Sequence, residues 1–66
     1  MEKVKVFVHF KGDDVPNVFY NRYGQRPVEA KDVFMDKSGL FLLIQQTDDS
    51  VDAINISIVS GYELTQ

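Results

Sequence analysis

Val4, Val6, Val8 and Phe10 alternate with Lys3, Lys5, Phe7 and His9, the two-residue period of a strand with one buried face. Phe7 departs from that pattern. A ring set among lysines and a histidine predicts that a second group covers part of the wet face. From Gly12 to Asn17 the alternation stops in a run of Gly, Asp, Pro and Asn, each of which favours turn geometry. Val18-Phe19-Tyr20 then reads as a short strand on residue type, and Asn21 to Pro27 as a loop or the open end of a hairpin.

Residues 28–37 carry two patterns at once. As a strand, Val28 and Ala30 face inward, Asp32 breaks the parity, and Val33 and Met35 resume in the other phase. A β-bulge near Lys31-Asp32 reconciles the halves. As a helix, Pro27 takes the first position, Ala30, Val33 and Phe34 form the stripe, and Gly39 stops it. The strand reading is preferred, because Val33-Phe34 are strand formers and no capping side chain precedes the helix.

The remainder is more regular. Asp36-Lys37-Ser38-Gly39 predicts a hairpin loop with Gly39 at a positive-φ position. Leu40 to Gln46 is largely apolar, as expected of a central strand covered on both faces. Thr47 to Ser50 makes the next turn. The last stretch, Val51 to Leu64, allows one kinked strand with Ile54, Ile56 and Ile58 inward. It equally allows a strand ending at Ile56, a tight turn at Ser57-Ile58-Val59 and a final short strand at Tyr62-Glu63-Leu64. Small five-stranded barrels often close in the second manner.

The expected fold is therefore all-β: a single domain over residues 1–66, an antiparallel meander of five strands curled into a small, partly open barrel. The alternative is α+β, with residues 28–37 as one helix on a four-stranded sheet. At 66 residues the core is small, with a stability of about 3–5 kcal/mol. Cysteine is absent, so neither a disulfide nor a thiolate metal site helps. Forty-four percent of positions are hydrophobic, which favours folding over disorder.

A net charge of −3 disfavours general affinity for nucleic acid or anionic membrane. The N-terminal alternation is not a signal peptide, and the apolar run from Leu40 to Ile44 is too short to span a bilayer. These features suit a cytoplasmic protein of bacterial or phage style.

Candidate chemistry is sparse. His9 is the lone histidine and lies on the outer face of the first strand, without a nucleophile in reach. Ser38, Ser50, Ser57 and Ser60 lack an elbow motif, so no enzyme and no cofactor is expected. Asp48, Asp49 and Asp52 around one turn, and Asp13-Asp14 at another, lack the ligand number and loop length of a calcium site and read as turn formers. One segment departs from the acidic background: Tyr20 to Arg26 holds two tyrosines, two arginines and two side-chain amides without an acid. Arg with Tyr is the composition of interaction hot spots and of single-strand stacking platforms. Tyr20, Arg22, Tyr23 and Arg26 are thus the candidate partner-binding residues, and Lys3, Lys5 and Lys11 extend the patch if the strands adjoin. The functional expectation is a small non-enzymatic protein–protein interaction module, with another protein or a second copy as partner. A single-strand nucleic-acid-binding small barrel is the alternative.

Overall fold

The computed structural model describes residues 3–12 and 14–66. The N-terminal alternation folds as strand β1 (Val4–Phe10), with Val6 and Val8 fully buried. Helix α1 (Asn17–Tyr23) follows, then β2 (Val28–Ala30), β3 (Asp32–Met35), β4 (Phe41–Gln45) and β5 (Val51–Asn55). A single 3-10 turn at Ile56–Ile58 leads into β6 (Val59–Thr65). The strands form two three-stranded antiparallel sheets, in the orders β2-β1-β6 and β3-β4-β5. Below these are sheet A and sheet B.

Two features depart from the expected meander. The chain is β-rich, but its six strands form two three-stranded sheets rather than one five-stranded meander, and sheet A joins the first strand to the last. The stretch Val18-Phe19-Tyr20 is helical, not extended. Tertiary packing overrides residue preference there: Phe19 and Tyr23, four apart and so on one side of a helix, turn toward the core. The Pro16 carbonyl accepts from the Phe19 and Tyr20 amides, and Gly24 N–H closes the last turn onto Tyr20 O at 3.0 Å. A Cβ at Gly24 would stand 2.9 Å from the Phe10 ring, so glycine is what lets the helix end approach β1 so closely.

Residues 28–35 are extended, which removes the helical alternative. The parity break at Lys31-Asp32 is real but larger than a bulge. β2 pairs with β1 while β3 pairs with β4, and the chain changes sheet at Lys31. Lys31 N–H donates to Gln45 O at 2.8 Å, so the corner stays hydrogen-bonded. The Asp36–Gly39 loop forms as expected, with Gly39 at φ 75. Asp36 caps it by accepting from the Ser38 amide and hydroxyl. Of the two readings of the C-terminal stretch, the second is the nearer, but the turn falls one residue earlier, at Ile56–Ile58, and the strand after it is longer, Val59–Thr65. Asn55 Oδ1 accepts from Ser57 N–H at 2.9 Å, fixing that turn.

The inner faces of the sheets meet over Val6, Val8, Ala30, Leu42, Ile44 and Ile54, all fully buried, with the Tyr23 ring among them. Val4, Phe10, Phe19, Val28, Val33, Ile56 and Ile58 pack around this centre. No helix is long and apolar enough to cross a membrane among the described residues.

Candidate functional site

The Tyr20–Arg26 segment is split by the fold. It lies on α1 and the turn that follows, where Tyr20 and Arg26 are exposed and the Tyr20 ring leans on Phe10 with centroids 6.5 Å apart. Tyr23 is different: its ring is fully buried. A partner contact needs an accessible ring, so Tyr23 is a core residue and not a binding one.

Its hydroxyl reaches the far sheet. Tyr23 Oη donates to Asp52 Oδ2 and accepts from Gln46 Nε2. The same carboxylate oxygen accepts from Gln46 Nε2 at 3.1 Å and from Arg22 Nη1 at 3.0 Å. Asp52 lies opposite Ile44 in the β4–β5 register, on the core-facing side, which makes it the inward charge that α1 must satisfy. Burial, and then the hydrogen bond and charge of Asp52, push the Tyr23 phenol well above its ordinary pKa. Arg22 is raised too, chiefly by its hydrogen bond to Asp52. This cluster ties the helix to sheet B, and Arg22 is paired with Asp52 rather than a free cation.

The acids of the Thr47–Ser50 turn are similarly engaged. Asp48 accepts from the Ser50 amide and hydroxyl, and Asp49 pairs with Lys31 at 2.8 Å. Asp13 of the second acidic tip lies outside the described residues. The His9 ring packs tilted against Phe7, centroids 4.7 Å apart, and sits 3.5 Å from Glu63. Phe7 is thereby half-covered by a neighbour on its own strand. Lys3 and Lys5 share this outer face of sheet A with Glu29, which pairs with Lys3 at 3.7 Å and stands opposite Lys5 in register. They face away from the core that holds Tyr23, so they do not continue the α1 surface. The positive charge on this face is largely countered.

The outer face of sheet B is the feature that the sequence reading missed. Phe34, Leu43 and Ala53 lie in one cross-strand row. Phe41 and Val51, two residues along their strands from that row, share the face, and Phe34, Phe41, Val51 and Ala53 are exposed. Asp32 is the one ionisable residue among the strand positions of this face; Gln45 and Asn55 complete its polar positions. The Leu40–Gln46 run was expected to be covered on both faces, and it is covered on one. Its apolar character on both sides was the available signal, and among the described residues no further sheet or helix lies over the second face.

No family model, no curated protein and no solved structure matches this chain. Its own surface is therefore the basis for a functional reading.

Proposed function

We propose that the chain is a non-enzymatic protein-interaction module whose contact surface is the outer face of β3-β4-β5. The observation that carries this reading is the uncovered row Phe34-Leu43-Ala53 flanked by Phe41 and Val51. Small soluble proteins keep such contiguous apolar surface for a partner, and aromatic residues dominate the energetics of interfaces. The partner is a protein with a matching apolar, weakly charged surface. Val18 and Tyr20, both exposed on α1, and Arg26 form a smaller second contact region, now without Tyr23. In this reading β2 and β3 act as one strand bent at Lys31, and the five resulting strands curl as a partly open barrel in a cytoplasmic protein. Single-strand nucleic acid is the weaker ligand, because the lysines of sheet A face carboxylates and Arg22 is held by Asp52.

The test is affinity capture with the wild type, with Phe34→Lys/Phe41→Lys, and with Lys5→Ala as a control on the opposite sheet. A specific partner is kept by the wild type and the control and lost by the double variant, since exposed aromatic anchors typically contribute above about 1 kcal/mol each. A partner retained by the double variant would exclude this face, and salt-sensitive capture of an oligonucleotide would favour the other ligand.

A further inference from the structure

Strand β6 borders sheet A, with β1 on one side and no strand on the other among the described residues. At seven residues it is the longest of the four marginal strands, against three in β2, four in β3 and five in β5. A marginal strand presents unpaired N–H and C=O groups, which proteins blunt by shortness, lysine, proline or an inward charge. β2 and β3 are short, and β5 carries the inward Asp52. β6 has neither lysine nor proline, and its bulge at Ser60 lies near its start. Tyr62 and Leu64 lie opposite Val8 and Val6 in register. Those valines are wholly buried, whereas Tyr62 and Leu64 are 40% and 45% exposed. Sheet B stops short of them, so the edge and its apolar flank are both incomplete.

We propose that β6 pairs antiparallel with β6 of a second copy, about a two-fold axis through Tyr62. The partner is selected by self-complementarity. Strands that continue one sheet about a perpendicular two-fold axis must centre on a residue, or the core-facing side would invert. Centring on Glu63 sets one carboxylate directly against the other, which is unfavourable. Centring on Gly61 places Glu63 opposite nearly buried Val59 and draws the 3-10 turn into the pairing. Centring on Tyr62 places Glu63 opposite Gly61, Leu64 opposite Ser60, and the two Tyr62 rings side by side on the apolar flank. No like charges then oppose one another, and aromatic pairing adds to the backbone ladder. This surface is separate from the outer face of sheet B, so the dimer leaves that face open.

Sedimentation equilibrium on the intact chain, from micromolar to millimolar concentration, should show a reversible dimer. Tyr62→Lys should raise its dissociation constant at least about tenfold, as loss of a central interface residue does, while keeping its circular dichroism. The absence of native cysteine makes the register readable. Gly61→Cys mixed with Glu63→Cys should form an oxidised heterodimer, because opposed Cα atoms lie about 4.5–5.5 Å apart. Glu63→Cys alone should not, its copies being offset to about 8 Å by the strand rise. The Cβ added at Gly61 meets nothing within 4 Å, so that variant keeps the fold. A monomer throughout the range, cross-linking of Glu63→Cys with itself, or a dimer lost in Phe34→Lys/Phe41→Lys but intact in Tyr62→Lys would each overturn the proposal.

Discussion

Tyr23→Phe removes one oxygen from the joint between α1 and sheet B and leaves the buried ring in place. The lost hydroxyl donates to the Asp52 carboxylate and accepts from Gln46. A hydrogen bond to a charged group is worth about 1.5–3 kcal/mol. Two features reduce the loss: Gln46 Nε2 remains 3.1 Å from the same carboxylate oxygen, and the Asp52 side chain keeps 21% of its surface in water. The expected cost is therefore near the lower end, about 1.5–2 kcal/mol. Against a total of about 3–5 kcal/mol, that is about 30% or more of the stability. In a domain of this size it lowers Tm by about 6–15 °C. Urea unfolding of both proteins measures the difference, with unchanged slopes showing that the native fold is kept. The pH dependence provides a second readout. Below the ordinary tyrosine value of 10.0 the phenol is protonated in both states. Above it the unfolded chain ionises while burial and the Asp52 carboxylate hold the folded phenol protonated. Stability is thus fully present below pH 10.0 and is lost as pH rises through the elevated folded value. The gap between wild type and Tyr23→Phe should narrow above that pH. A variant within about 0.5 kcal/mol of wild type, with the same alkaline slope, would refute the role given to the hydroxyl.

Leu42→Ala and Ile44→Ala each empty a fully buried site and should cost about 2–5 kcal/mol. Each should leave the chain largely unfolded by circular dichroism; native melting in both would remove β4 from the core. Asp36 and Asp48 are held below their ordinary 3.8 chiefly by hydrogen bonds from the Ser38 and Ser50 hydroxyls. Their contribution is present above that pH and lost as pH falls through the lowered folded values. Ser38→Ala/Ser50→Ala should therefore flatten the acid limb of a stability–pH curve, and an unchanged acid limb would count against these turns.

What the sequence disclosed follows from the range of the forces concerned. β1, the Asp36–Gly39 loop, the parity break at Lys31 and the tight turn before β6 are set by neighbours within a few residues, and their signals are local. Helix α1 is not of that kind. Val18, Phe19 and Tyr20 prefer extended backbone, no side chain caps the helix start, and the helix forms because Phe19 and Tyr23 fill space made by distant strands. Asp52 was legible only as one of several acids near a turn, since its partners Arg22 and Tyr23 lie 30 and 29 residues away. The arginine–tyrosine segment was correctly singled out as unusual. Half of what makes it so is an internal joint, while the exposed aromatic face lay hidden in a run that looked like core.

The pairing of β1 with β6 also bears on the order of folding. Strands β3 to β5 adjoin in sequence and can pair through local contacts, but sheet A waits for residues near 65. Val6 and Val8 therefore gain their final neighbour only when β6 docks, and a chain lacking β6 would hold sheet B but only the β1–β2 pair of sheet A. Contacts so far apart in sequence are slow to form. Closure of sheet A by β6 is accordingly expected after β3, β4 and β5 have paired.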